Sequence, residues 1–553
     1  MAAPKLVVGL DFGTTFSGIA YSVGGSLEDI EVHAQWPGGC NRTSVKVPSD
    51  ISYGEKGIQW GYQVGPFAEA CRGVKLLLDE RQDVKWPPSI DSRKLLRRLH
   101  KDAVQVTADF LRQLIGQTEE VLHRRLGLKM QELDLQYVLT VPAVWSDKAK
   151  DATMRAAVQA GMDMKNITLV SEPEAAALYS LRETLPNSIG KDDVFVVCDA
   201  GGGTADLISY QVNGLEPLRL SEVTEGTGAV CGSLLLDGRF EELLRDRMGG
   251  GAYWKLSPKA KATAITYWQD RVKPNFTGSY DDDFADVEYF IPVAGATDDP
   301  KVPIKDGFFL MSSKDMKDIF DPVVGKIEDL LEEQTTAITK QELPIKAIVL
   351  VGGFGASPYL FHRLQEKFSK LAIIQPPDGG AVHHGLEGNK INSRFARRHY
   401  GIRFRAPFDP EIDSADDPNK IWDDLEEKWW IGNQMEWYIS KSSKISENEP
   451  IRLGWHTSRR VDDAAQLVFH IQMYFSLEGD APDVYNEKRV FTLCEVEADL
   501  DQIPKELFTK KTNSKGVEYY GIFYDLVMTP TSASLIFELE FNGVSYGFVR
   551  TKY

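Results

Sequence analysis

The sequence predicts an α/β protein of two lobes, followed by a small, mainly β C-terminal domain. Three observations carry this. Short apolar runs alternate with longer helical patterns up to about residue 400. A unit of apolar strand, Asp, glycine turn, Thr and second strand occurs at 6–23 and recurs at 194–212. After residue 406 the pattern changes to acidic turns and then strands. Alternating strands and helices form layered sheets whose strand ends deliver loops. Two copies of one unit predict two related lobes facing each other across a cleft. A chain of 553 residues also exceeds what one hydrophobic core supports.

Taken in order, Leu6 to Leu10 reads as a buried strand and Phe16 to Val23 as its hairpin partner. Phe110, Leu111, Leu114, Ile115, Val121 and Leu122 fall on one face of a helix over 108–126. Tyr137 to Val141 is a strand ended by Pro142, and 147–160 is a helix stopped by Gly161. Ile167 to Val170 is a strand leading into a helix that carries Glu172. Val194 to Cys198 is a fully apolar strand and Leu207 to Val212 its return. Helices follow near 231–248, 258–272 and 313–335, then a strand at Ile345 to Val351 and a helix over 357–369. This divides the chain into a domain at 1–400, with lobe I at about 1–190, lobe II at about 191–378 and a return helix at 379–400. Pro407, Pro410, Asp413, Asp416, Asp417, Asp423 and Asp424 mark an acidic linker over 401–428. The β domain fills 429–553, with strands at 437–439, 467–475, 490–496 and 519–528. Its clearest signal is Phe537, Leu539 and Phe541 alternating with Glu538 and Glu540, before an Asn542-Gly543 turn.

Composition excludes some functions. A net charge of −18 disfavours sequence-independent nucleic-acid binding, which needs a basic surface. Arg93, Lys94, Arg97, Arg98 and Lys101 form one basic helix face, read as solvated and salt-bridged. Cys40, Cys71, Cys198, Cys231 and Cys494 show no metal-ligand spacing and no disulfide framework. No apolar run is long enough to span a bilayer, and the first residues lack a secretory pattern. The expectation is a protein of the cytoplasm or nucleus, without membrane insertion.

Chemistry concentrates in three glycine turns. Asp11-Phe12-Gly13-Thr14-Thr15 lies between two strands. Glycine lets the backbone approach a phosphate so that N–H groups point at its oxygens, and Thr14 and Thr15 add hydroxyls. Asp11 is placed to hold Mg²⁺ through water, as hard cations prefer oxygen ligands. In Asp199-Ala200-Gly201-Gly202-Gly203-Thr204-Ala205-Asp206, three glycines cost folding about 0.5–1 kcal/mol each relative to Ala, more than a hairpin requires. They point to a polyphosphate cradle. Gly352-Gly353-Phe354-Gly355 ends a third strand and offers backbone to a flat base.

These loops, with Leu139 to Ala143, Ser171 to Ala177 and Val349 to Gly353, resemble the actin/sugar-kinase/heat-shock ATPase superfamily over about residues 5–395. Within it the chain resembles the 70-kDa heat-shock (DnaK-type) chaperones, and most of all the divergent heat-shock protein 12 type branch. The resemblance implies an actin-like ATPase domain of duplicated ribonuclease-H-like units that binds ATP or ADP with Mg²⁺. It implies that Asp11 and Asp199 organise the metal's water shell, and that Glu172 orients the attacking water. Thr204 and Asp206 then position that water, while Gly13, Thr14, Thr15, Gly201, Gly202, Gly203 and Gly232 lie along the phosphates. Asp270, Lys273 and Thr277 become nucleoside contacts, and Gly352 and Gly353 meet the purine. Pro142 and Lys150 match positions that signal nucleotide state.

The chain also departs from that family. The family's lysine near the γ-phosphate has no counterpart in 60–66, and Lys75, nearby in sequence, has no assigned place. Ala356 and Pro274 replace two arginines beside the adenine, leaving Phe354 to stack there. The leucine-rich interdomain linker is absent from 396–430, and no helical lid is read after the β domain. The expected function is a chaperone-like, nucleotide-gated partner-binding protein with slow ATP hydrolysis, meeting protein clients or co-chaperone-like partners. The alternatives are a nucleotide-binding scaffold with negligible turnover, favoured by the missing lysine, and, less favoured, a small-molecule kinase on the same fold.

Overall fold

The computed structural model describes residues 4–24, 30–40, 43–55, 57–65, 67–79, 87–127, 129–184, 189–215, 218–278, 288–298, 302–375, 390–446, 449–463, 467–531 and 534–552. It divides into two compact units, 1–390 and 391–553.

The first unit holds the duplicated lobes. In lobe I, β1 (Lys5–Asp11), β2 (Phe16–Val23), β3 (Ile30–Val32), β4 (Asp134–Val141) and β5 (Ile167–Ser171) form a sheet in the order β3–β2–β1–β4–β5. In lobe II, β6 (Val194–Ala200), β7 (Ala205–Leu215), β8 (Leu218–Ala229), β9 (Ile345–Val351) and β10 (Ala372–Ile374) repeat it as β8–β7–β6–β9–β10. In both copies the first three strands are antiparallel and the last two join in parallel. The repeat seen at 6–23 and 194–212 is thus the first hairpin of each ribonuclease-H-like sheet, and the chain is an α/β, two-lobed actin-like fold with a β-rich second unit.

Helices cover the sheets: α1 (Pro87–Leu99), α2 (Ala103–Leu126), α3 (Asp147–Ala160) and α4 (Glu172–Thr184) in lobe I. Lobe II has α5 (Leu234–Met248), α6 (Gly250–Lys255), α7 (Pro258–Tyr267), α8 (Ser313–Thr339) and α9 (Pro358–Lys367). Strands covered on both faces read as continuous apolar runs, and Val194 to Cys198 are fully buried. The helix expected at 147–160 has those bounds because Ser146 caps its start, accepting from Ala149 N–H at 3.2 Å, while Gly161 adopts φ 108° at its end. α2 begins earlier than its apolar face because Asp102 and Gln105 form a capping box. Of the basic residues, Lys94 pairs with Asp91 at 2.9 Å and Arg98 with Glu69 on α1, and Lys101, just past its end, pairs with Asp109 at 2.9 Å.

The second unit differs from expectation at its start. Residues 379–389 of the return helix lie outside the described residues, and Ile391–Phe395 is a strand, as is His399–Pro407. The cause is a period of two that a helix cannot satisfy: Tyr400 and Ile402 are buried while Arg403 and Arg405 face outward. Nor is 401–428 a linker. Its acidic side chains order their own turns, as Asp423 accepts from the N–H groups of Leu425 and Glu426, both at 3.0 Å. A strand at Lys420–Asp423 then pairs with Lys428–Ile439. The unit is a two-sheet sandwich. Tyr400, Ile471, Met473 and Val496 from one sheet share a core with Leu453, Leu526, Phe537 and Leu539 from the other. The Asn542-Gly543 turn takes φ 49° and 76°, the two-residue hairpin geometry that only such residues adopt readily.

Phe537→Ala removes a ring that is 2% exposed in this core. It should destabilise the second unit by about 3–5 kcal/mol in urea unfolding followed by circular dichroism. A loss below about 1 kcal/mol would contradict this packing.

Candidate functional site

The two hairpins of the first unit bring their glycine loops together. Gly13 closes the β1–β2 turn so tightly that a Cβ would lie 2.0 Å from the Phe16 carbonyl oxygen. Ser49 fastens this loop, its hydroxyl donating to Gly13 O and its N–H to Thr15 O, both at 2.8 Å. The second loop abuts it. A Cβ on Gly202 would come within 2.6 Å of Thr15 Oγ1, and one on Gly203 within 3.1 Å of Thr14 Oγ1. Gly232 N–H donates to Gly203 O at 3.1 Å, and a Cβ there would strike Gly202 O at 2.3 Å. Gly352, at φ +85°, passes so close to Asp199 that a Cβ would sit 2.4 Å from Oδ1. The N–H groups of Phe354 and Gly355 both donate to Ala200 O at 2.9 Å, latching the third turn to the second. Among the described residues, the backbone N–H groups of Thr14, Thr15, Gly202 and Gly203 donate to no protein acceptor. This is a cradle lined by backbone donors.

Carboxylates crowd its base. Asp11 ends β1, Glu172 opens α4, Asp199 lies in β6 and Asp206 in β7. Asp206 is 1% exposed and accepts from Val144 N–H at 3.3 Å; Thr204 is also buried. Burial raises the Asp199 carboxyl well above its ordinary range, and repulsion from Glu172, Asp206 and Asp11 adds to this. Burial also raises Glu172, with Lys75 opposing and Asp11 reinforcing. For Asp11 burial pushes upward, but Lys46 and Lys75 outweigh it and hold the carboxyl below its usual range.

Of those two lysines, sequence reasoning named Lys75 without a place in the site and did not single out Lys46. Gly73, at φ 62°, starts a 3-10 turn over Val74–Leu78 that turns Lys75 inward. The side chain is 4% exposed, lies 6.0 Å from the Phe12 ring centroid and 5.6 Å from that of Trp145, and pairs with Glu172. The signal was present as a lysine inside the apolar run Val74-Lys75-Leu76-Leu77-Leu78, since a lysine is almost never buried unpaired. Lys46 precedes the short strand Val47–Pro48 and places Nζ 3.3 Å from Asp11 Oδ2; Thr140 donates to Asp11 Oδ1 at 3.2 Å.

The nucleoside candidates fare unevenly. Trp268–Val272 is a π-turn continuing α7. Asp270 and Thr277 are exposed beside it, and Gly353 is exposed in the third turn. Lys273 donates to Asp237 Oδ1 at 2.8 Å; Trp268 Nε1 reaches the same oxygen at 2.9 Å and Gln269 reaches Oδ2 at 2.8 Å. Asp237, in α5, therefore holds this segment and was not singled out from the sequence. Phe276 packs on Tyr359 at 4.7 Å, which sets the segment beside the start of α9. Phe354 does not serve as a stacking platform: it is 3% exposed in the lobe II core, 6.5 Å from the Phe320 ring. A large ring beside buried Phe320 gains more from the core than from solvent. Ala356 is exposed, and four of the five cysteines are buried thiols, with Cys40 exposed.

Comparison with known proteins agrees with this geometry. The family described as "Hsp70 protein" matches residues 90–214, and a domain of unknown function (DUF8568) matches 394–543. Human Heat shock 70 kDa protein 12A is 25% identical over 85% of this chain and 81% of its own length. Human Heat shock 70 kDa protein 12B is 22% identical over 83% and 79%. A Chaperone protein HscA homolog of Acinetobacter baumannii is 23% identical over 70% of this chain and 58% of its own length. The chain is thus similar to the 70-kDa heat-shock family on its protein 12 side, and shares that family's nucleotide-binding fold. No helix among the described residues is long and apolar enough to cross a membrane.

The raised carboxyls make the ligand-free protein pH-sensitive. An Asp that ionises less readily folded than unfolded contributes stability below its unfolded pKa of about 4, and this is lost as pH rises through the folded value. Asp199→Asn should therefore raise the thermal midpoint at pH 7.5 and flatten its fall between pH 4.5 and 7.5. Calorimetry across that range checks it; an unchanged profile would contradict the electrostatic crowding.

Proposed function

We propose that this Hsp70-like chain binds ATP or ADP with Mg²⁺ between its glycine loops, hydrolyses ATP slowly, and uses nucleotide state to gate protein partners. The observation that carries the reading is the buried Lys75–Glu172 pair beside Asp11, at the base of a backbone-lined cradle. The residues fit the ligand. A Cβ at Gly202 would press on the Thr15 side chain and one at Gly203 on Leu76 and Thr14, so glycine lets the two loops close together, and the N–H groups of Thr14, Thr15, Gly202 and Gly203 are available as donors. When bound, Mg²⁺ supplies positive charge to the phosphates, with Asp11 and Asp199 as its candidate holders through water.

Phosphoryl transfer to water asks for positioning and charge neutralisation more than covalent chemistry. Glu172 is placed to orient and accept from the attacking water, and Thr204 and Asp206 to position it. Lys75 is the cation we assign to the role that residues 60–66 leave open, and its pairing with Glu172 supports hydrolysis over an inert scaffold. Gly232 lies along the phosphates. Asp270, Lys273, Thr277, Gly352 and Gly353 remain the nucleoside contacts, with Lys273 fixed by Asp237. Pro142, buried at the end of β4, and Lys150 in α3 are the positions through which nucleotide state is relayed. Protein clients or co-chaperone-like partners in the cytoplasm are the expected readers of that state.

Purified protein should hydrolyse ATP slowly but measurably. Lys75→Met should lower single-turnover rate about 100-fold or more while ATP affinity changes only several-fold, because a transition-state charge contact is lost. Asp199→Ala sets the background; wild-type turnover no higher than that variant would end the hydrolysis reading.

A further inference from the structure

Lys46 is held in a built position. Its carbonyl oxygen accepts from Ser44 Oγ at 2.7 Å and Tyr62 Oη at 3.2 Å, which fixes the backbone just before Val47–Pro48. That strand pairs with Phe16 and Ser17 at the exit of the first glycine loop. The lysine stem crosses Gly18, where a Cβ would lie 3.6 Å from Lys46 Cγ, and Gly18 is the strand partner of Asp11. Nζ thereby reaches Asp11 Oδ2 at 3.3 Å, with the lysine side chain 25% exposed and that of Asp11 37%. Both are more open than the Lys75–Glu172 pair, at 4% and 17%. A cation therefore already stands on one of the two candidate metal carboxylates, at the open side of the cradle.

From this geometry we infer that Lys46 is a second phosphate-contacting cation, which lets the chain retain nucleoside triphosphate when divalent cation is withdrawn. The inference rests on the nucleotide reading above and deepens it. An ammonium carries three donors, enough to bridge the Asp11 carboxylate and a phosphate oxygen. Without such a charge, Asp11, Glu172, Asp199 and Asp206 meet the triphosphate with Lys75 as the remaining lysine that offsets Asp11 among the described residues. Lys75 is shared between Glu172 and the phosphate contact proposed above. Lys46 offsets Asp11 and leaves a bridging contact for the ligand, a share of the work that otherwise falls to Mg²⁺.

The test is equilibrium binding of a fluorescent ATP analogue to the full chain, in excess Mg²⁺ and in excess EDTA, for wild type, Lys46→Gln and Lys46→Arg. Lys46→Gln keeps the stem over Gly18 and removes the charge; Lys46→Arg restores it. Expected is a wild-type loss on Mg²⁺ removal of less than about tenfold, and a loss for Lys46→Gln at least tenfold larger than wild type's, each tenfold being about 1.4 kcal/mol. Lys46→Arg should recover most of the retention. Equal Mg²⁺ dependence in wild type and Lys46→Gln overturns the inference and leaves nucleotide binding standing. Absence of binding by wild type in both conditions overturns the nucleotide reading, and this inference with it.

Discussion

The ammonium of Lys75 lies between the rings of Phe12 and Trp145 and ends on Glu172. Removing a charge from water is costly, and the cost is met only when a partner and good geometry are supplied. Here the partner is a carboxylate that belongs to a crowd of four. Each of those groups pushes its neighbours toward the protonated form, and the two lysines oppose that push at opposite sides of the crowd. The remaining features of the site follow from holding this arrangement in place. Gly73 gives the turn that carries Lys75 inward, Ser49 fastens the first loop, and the third turn is latched to Ala200. A site with so much buried charge is rigid by necessity, since a small displacement would leave a charge without its counter-charge.

Much of the fold was legible because it obeys local rules. The strands at 16–23 and 345–351 and the helix at 147–160 have the bounds their patterns imply, since apolar period, caps and turn residues agree there. The two hairpins that carry the first two glycine loops were legible from repetition. What failed was long-range. Lys75 and Lys46 are separated from Asp11 by dozens of residues, and only the folded chain brings their charges to it. Phe354 was misread for the opposite reason: an aromatic next to a glycine turn looks available for stacking, and only the tertiary core around Phe320 shows where its ring goes. The segment 401–428 was read as a linker because acidity and proline content were weighed above the alternation at 400–405.

The second unit is a sandwich with its own core, and its match to a domain of unknown function spans nearly all of it. Its strands alternate between a buried inner row and an outer row that carries charged residues together with exposed rings such as Trp422, Phe523 and Phe548. The acidic turns at its start are held by side chain to backbone hydrogen bonds within the turns themselves. Such turns are specified locally and tolerate change in the rest of the chain, which makes them suited to vary while the sandwich beneath persists.

The π-turn at Trp268–Val272 bears on how the segment that follows α7 is kept in register. Trp268 and Lys273 are five residues apart, yet both reach Oδ1 of Asp237. In an α-helix, at 3.6 residues per turn, side chains five apart diverge by roughly 140° around the axis. A turn closed from i to i+5 brings them back to one side. The helix has in effect absorbed one residue too many for an ordinary turn, and a single carboxylate clamps the surplus. Shortening this segment by one residue would restore regular winding but rotate Lys273 away from its clamp. The irregularity is therefore the means by which chain length and the aim of one side chain are reconciled.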